Sequence, residues 1–438
     1  MSLTIVSMVT ACLTSPRVTR AAAYAAVLAA TVAAAGCTDD ASDPTNPPPT
    51  TRASCAGDPP TLTTTFPGAG LQALGGGAIR CRYTGELTVH GTVAYTSTWG
   101  RRGTNVGNAI YIWDVSGDVP ALEDSLTVAG AVTTGDIQVS DDGRLLVVAT
   151  EFETGSIVIY DLQDPLKPQQ VARFSSASTA PGVHTAEVAR VNGTLYAFLS
   201  VDPADSFSAR LVVVDLTDPA HPTEVLSQVM GNPFVHDVFV RDGILFTALW
   251  DDGLAIWDIG GAGRGSPAVP VLLGRVATVG GNVHNVWWVH DPVTGAKRYA
   301  VVGEEQAGTV GSVSAGDIHV VDVSDLTDPR EVAYYHVTGA GTHNFSVDEE
   351  RGILYAAYYN GGVRALDVRG DLAACTAEQR AGDGRCDLTL MGREIGVGLV
   401  GGLDVLVWGV VYSGGSVYAS DMFNGLWKLT PAVQPVAP

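Results

Sequence analysis

Four histidines in this sequence stand in equivalent places, and held at one level they would do metal chemistry. They are His184, His236, His284 and His343, out of nine histidines in 438 residues. Their contexts are alike: Val183-His184-Thr185, Val235-His236-Asp237, Val283-His284-Asn285 and Thr342-His343-Asn344. Neutral imidazole is a nitrogen donor suited to Fe, Zn, Cu or Ni. An open position on such an ion polarises water or binds dioxygen. Glu151, Glu304 and Glu305 fall where carboxylates would orient the imidazole N–H groups from behind. A second reading stays open. Duplication can carry one inherited histidine into several copies, each bonding a backbone carbonyl of its neighbour. Asp237, Asn285 and Asn344 follow three of the histidines; side chains alternate along a strand, so these are expected to point away from the axis on which the histidines converge. His90, His221, His290, His319 and His336 lie outside the pattern and read as structural or surface residues.

The pattern exists because the chain repeats. One phrase recurs at Ile110–Asp114, Ile157–Asp161, Leu211–Asp215, Leu254–Asp258, Ile318–Asp322 and Val363–Asp367, with a worn seventh copy at Leu426–Thr430. β-Branched and aromatic residues dominate these runs, so they are strands. Asp164-Pro165, Asp218-Pro219 and Asp328-Pro329 then supply turns into a further strand. Upstream, residues 235–254 align with 407–426 without a gap. Each unit of about 50 residues reads as four short antiparallel strands, which is a propeller blade. The expected fold is all-β, a seven-bladed β-propeller. The seven starts of the innermost strands are Gly85, Gly135, the four histidines and Trp408. Innermost strands line the central channel, so imidazoles from four successive blades converge on the axis. Trp287 and Trp288 alternate, and at most one of them lines that channel.

The repeated phrase resembles the LVIVD repeat of bacterial β-propeller proteins. The resemblance spans roughly residues 78–430 and is closest at Ile157–Pro168 and Leu211–Pro222. A broad, loop-built propeller face reads as a binding or interaction module for a protein or glycan partner. The alternative is a metal-dependent enzyme, an oxygenase or hydrolase, on the four-histidine site. In one architectural respect the pattern is similar to carotenoid-cleavage oxygenases, where four histidines from different blades hold iron; the long lid insertions of that family are missing here. Trp113-Asp114 and Trp257-Asp258 look like WD40 endings, but the Gly-His dipeptide of that family does not occur.

The last copy stops near Thr430, which leaves no fourth strand for the seventh unit. Ala78–Tyr83 is expected to supply it and close the ring, removing exposed strand edges. Inserts are expected at Glu305–Ala315 in blade five and at 371–402 between blades six and seven. Past Cys12 and Cys37 come Cys55, Cys81, Cys375 and Cys386. An even number in an exported chain suggests disulfides, with three pairings open. Sequence proximity favours Cys55–Cys81 and Cys375–Cys386. Zinc is the alternative, without any C-x-x-C spacing to support it.

Residues 1–36 read as a secretory leader: Arg17 and Arg20, an Ala-rich apolar run, then Gly36-Cys37. The run is shorter than the ~20 residues of a membrane span. Ala34–Cys37 resembles a bacterial lipobox, which makes Cys37 the expected lipidation site and the lipid the expected membrane contact. Thr38, rather than Asp, follows the cysteine; the resemblance implies a cell-envelope lipoprotein of the outer membrane or surface. Residues 37–77 are expected to be a Thr/Pro/Asp-rich tether, and 78–438 the propeller. The net charge is −21, and −23 once the leader's two arginines are gone. Only three lysines occur and no basic run, which excludes a general nucleic-acid binder. A hydrophobic content of 46 % excludes a disordered polyelectrolyte. Gly68-x-Gly70-x-x-Ala73 follows no strand, and Asp141–Gly143 and Asp251–Gly253 sit where the repeat needs turns rather than calcium loops. No P-loop, nucleophile elbow or H-E-x-x-H helix is present.

Overall fold

The computed structural model describes residues 70–433, apart from 78, 80–81, 101–105, 153–154, 205–206, 307–314 and 401–404. The leader, Cys37, Cys55, Cys81 and most of the expected tether lie outside the described residues.

Seven antiparallel sheets stand around a common axis. Blade three is typical: Val183–Val191, Thr194–Val201, Arg210–Asp215 and Thr223–Val229, in that order from the axis outward. The innermost strands neighbour one another in turn, and that of the last blade, Val407–Ser413, meets that of the first, Tyr83–His90. The ring is therefore closed. The middle strands are mostly buried, and Leu145–Thr150 along its whole length, because each blade is sandwiched between two others. The core is a set of layers between blades. Ile157 and Ile159 of blade two pack on Val183, Ala186 and Leu199 of blade three. Leu87 and Trp113 of blade one pack on Tyr418 and Leu426 of blade seven. Outermost strands such as Ala121–Thr127 are exposed.

The terminal Asp of the repeated phrase has a local job. Its side chain accepts the backbone N–H two residues on: Asp114 from Ser116 at 2.8 Å, Asp161 from Gln163 at 2.6 Å, Asp215 from Thr217 at 2.7 Å and Asp322 from Ser324 at 3.0 Å. Each such turn ends the third strand and starts the return to the fourth. In the seventh copy Thr430 stands there instead, and its hydroxyl accepts the Gln72 N–H at 3.0 Å. That bond ties the last copy to the N-terminal segment.

The closing strand is Ala73–Gly77, not Ala78–Tyr83. It pairs antiparallel with Gly425–Leu429, and Tyr83 already begins blade one. Two glycines explain the choice. A Cβ on Gly76 would come within 2.6 Å of the Trp427 ring, and one on Gly77 within 2.3 Å of Trp113. Only a bare backbone fits between these indoles. Cys81 falls outside the described residues.

The Cys375–Cys386 disulfide forms as expected, with its Cα atoms 5.9 Å apart. Its loop sits differently from the expectation. The fourth strand of blade six is Glu394–Gly398, so the insertion interrupts blade six after Val363–Asp367 rather than linking blades six and seven. Within it, Cys386–Asp387 adds a short parallel strand to the outer edge of blade five.

Candidate metal centre

Each histidine opens an innermost strand at a break in pairing. The register slips between Val183 and Thr185 and again between Val283 and Asn285. His236 donates its backbone N–H to the Ala248 carbonyl at 2.8 Å, and Asp237 pairs with the same Ala248. His343 and Asn344 both bond Ala357. Two residues thus oppose one in all four blades, which is a β-bulge. A bulge turns successive side chains toward one side. Asp237, Asn285 and Asn344 therefore line the axial cavity together with the histidines, contrary to the alternation expected for them. Alternation does hold for the tryptophans: Trp287 lines the cavity, while Trp288 packs in the core and donates its indole N–H to the Lys297 carbonyl.

The four imidazoles form one continuous group. Ring centroids are 4.3 Å apart for His184 and His236, 4.0 Å for His236 and His284, and 4.4 Å for His284 and His343. All four side chains are buried. His184 Nε2 and His236 Nε2 lie 3.0 Å apart. This is the spacing of a hydrogen bond between the rings, and also of two ligands at right angles on an ion with bonds of about 2.1 Å, against about 3.4 Å in a tetrahedron. Nε2 of His284 makes no hydrogen bond, while His236 and His343 make only weak contacts to the next blade's backbone at His284 and Trp408, and His284 one to the Asn285 side chain. Orphaned nitrogens at this depth are costly unless something binds them.

Two of the three expected carboxylates face this group. Glu305 Oε2 is 3.6 Å from His284 Nε2 and 4.0 Å from His236 Nε2. It meets the donor nitrogens directly instead of orienting them from behind. Its Oε1 accepts the Tyr359 hydroxyl. Glu151 Oε2 lies 3.5 Å from His184 Nδ1, and Asp202 Oδ2 lies 3.7 Å from the same nitrogen. Those two carboxylates orient His184 so that its Nε2 faces His236. Glu304 is different. It turns to the neighbouring His319, 3.3 Å away, and accepts the Asp317 N–H at 3.1 Å. Successive side chains of a strand point to opposite faces, so Glu304 and Glu305 cannot both face the axis. His319 is wholly buried between Glu304 and Glu331; burial lowers its pKa, and the two carboxylates raise it to about 9.

Burial pushes His236, His284 and His343 well below the usual imidazole pKa, and repulsion among the rings adds to it. They stand as neutral imidazoles, the metal-ligating form. Trp250 stacks on His236 at 5.3 Å, and Trp408 lies 4.3 Å from His343. Trp250 and Tyr359 adopt left-handed backbone, with φ of 56° and 41°. Both make bridges to the next blade, Trp250 with Val283 and Tyr359 with Val407.

Beside the histidines the axial cavity widens to about 340 Å³. Glu86, Asp136 and Asp237, each one residue past the histidine slot, form a belt around it, and Glu187 stands farther along blade three. Burial and then a neighbouring acid push Glu86 up to about 8, Glu187 to about 8 and Asp237 to about 7. Burial raises Asp136 as well. Asp202, Tyr359, Glu86, Asp136 and Glu187 were not singled out from sequence. One signal was available for two of them: Glu151, Glu305, Tyr359 and Asp202 all lie one or two residues past the end of a second strand.

Residues 204–229, 234–278 and 312–337 match the family model of the LVIVD repeat. The chain is a seven-bladed propeller with LVIVD repeats. The matched stretches hold the phrases Leu211–Asp215, Leu254–Asp258 and Ile318–Asp322. His236 lies inside them; His184, His284 and His343 do not. The repeat thus accounts for the blades but not for the histidine set. No curated protein matches the chain.

Proposed function

We propose that this LVIVD-repeat propeller is an exported, lipid-tethered binding module of the cell envelope that holds a transition-metal ion on its axis. His184, His236 and His284 would supply nitrogen ligands and Glu305 an oxygen, with His343 adjoining them. One observation carries the metal reading: His236, His284 and Glu305 bring ligand atoms within 4.8 Å of one another, and His184 Nε2 lies 3.0 Å from His236 Nε2. Such a donor set suits Fe, Zn or Cu. The tether and compartment rest on the leader and on Ala34–Cys37. A metal-dependent oxygenase or hydrolase is the second reading, favoured by the open cavity beside the ligand set. Its protein or glycan partner would meet the propeller face.

Metal analysis of the purified full chain tests the central claim. About one ion per chain is expected, falling at least tenfold in a His236→Ala, His284→Ala double variant. A chain without stoichiometric metal after exposure to Fe, Zn and Cu, or a double variant that keeps its ion, would falsify the assignment. Palmitate labelling of the expressed chain tests the tether. Label is expected on the wild type and not on Cys37→Ala; an unlabelled wild type ends the lipoprotein reading.

A further inference from the structure

The carboxylates beside the histidines have a chemistry of their own. Glu86, Asp136, Glu187 and Asp237 line one cavity of about 340 Å³, and no Lys or Arg lines it with them. Their protein partners satisfy only part of them. Asp136 accepts the Ala186 N–H at 2.8 Å and the Ile137 N–H at 2.7 Å. Asp237 accepts the Val238 N–H at 2.7 Å. Glu86 Oε1 makes no hydrogen bond, its nearest polar neighbour being His343 Nδ1 at 4.0 Å. Asn285 is only 3 % exposed and lines the same cavity. Buried carboxylates without a local cation call for a ligand that donates N–H groups and carries positive charge.

A second bare metal ion does not answer that call. Among the described residues, the groups of three or more ligand atoms within 4.8 Å of one another are His236, His284 and Glu305, and Glu151, His184 and Asp202. The belt carboxylates form no such group, so they are spread too far to hold one ion. They suit a larger cation. The walls past the belt are apolar and aromatic: Phe239 and Trp287 stand with ring centroids 5.2 Å apart, and Tyr412 joins them. Aromatic faces bind flat apolar groups and organic cations.

We propose that the axial cavity binds a small aromatic amine, with its ammonium on the belt of Glu86, Asp136 and Asp237 and its ring against Phe239 and Trp287. The proposal deepens the reading of the axis as a binding site, and it does not require the metal. The excess of acidic over basic residues in the chain favours such a cation at long range.

Calorimetric titration of the full chain with tyramine, with and without metal, is the test. The neutral probe 4-ethylphenol and the anionic probe 4-hydroxyphenylacetate serve beside it. Tyramine is expected to bind at least tenfold more tightly than either. Glu86→Gln and, separately, Asp136→Asn are expected to weaken tyramine at least tenfold while the metal content stays at the wild-type value. Two variants guard against one failing to fold. No tyramine binding below 10 mM, or equal affinity for tyramine and 4-ethylphenol, overturns the proposal. So does metal loss in both carboxylate variants, which would make the belt part of the metal site. Tyramine binding by a chain that never takes up metal upholds the proposal and removes only the metal reading.

Discussion

Glu305 shows how much one residue depends on its second oxygen. Tyr359 donates its hydroxyl to Oε1, which leaves Oε2 turned toward His236 and His284. Asp258 shows the same principle in a structural role. It is wholly buried, and its carboxylate accepts the N–H groups of Gly260, Ala262, Arg264 and Gly265. Burial alone would push the carboxyl up; the four backbone donors reverse this and hold it at about 2. A carboxyl depressed on folding adds stability above its unfolded pKa of about 3.9, and loses it as pH falls through the folded value. The shift corresponds to about 2.5 kcal/mol. Asp258→Asn is expected to be less stable than the wild type by about that amount at pH 7. The gap should close as the pH drops from 4 to 2. Denaturant melts of both proteins across that range measure it; a gap that does not change with pH contradicts the assignment.

At the scale of elements, the strands were legible and their irregularities were not. Runs such as Ile157–Asp161 announce themselves through β-branched residues with a turn-forming Asp at the end, and the blades follow from their recurrence. The histidine slot was legible for the same reason, since repetition aligns equivalent positions. The bulges beneath it leave no mark in residue type. Alternation therefore put Asp237, Asn285 and Asn344 on the wrong side, and the acidic belt went unseen although Glu86 and Asp136 stand at the same place in their own repeats. The closing strand was hidden for the opposite reason. Ala73–Gly77 has no strand-forming residues, because its place is set by the indoles around it rather than by its own propensity. Glu304 and Glu305 were indistinguishable as neighbours in sequence; one strand position separates a cavity-facing carboxylate from the buried partner of His319.

At the scale of the whole molecule, closure of the ring decides whether seven blades act as one body. In every blade but the last the four main strands follow one another in chain order, blade six with its insertion before the fourth. The last joins Ala73–Gly77 to Gly425–Leu429 across nearly the full described chain. The Gln72 and Thr430 backbones also bond at 2.9 Å there. Lys428 adds a further tie, donating to the Val115 and Gly117 carbonyls of blade one at 2.8 Å each. Such a seam costs loop-closure entropy that grows only slowly with length, so a few good contacts hold it. Its weak point is steric. A valine at Gly76 would drive its side chain into Trp427, and overpacking of this kind costs about 1–3 kcal/mol. Gly76→Val is therefore expected to lower the thermal midpoint by several degrees and to make 73–77 accessible to proteolysis while the other blades stay protected. Gly382→Ala is the control, since a Cβ there meets nothing within 4 Å. Equal midpoints and equal cleavage for the two variants would mean that the N-terminal strand does not hold the ring shut.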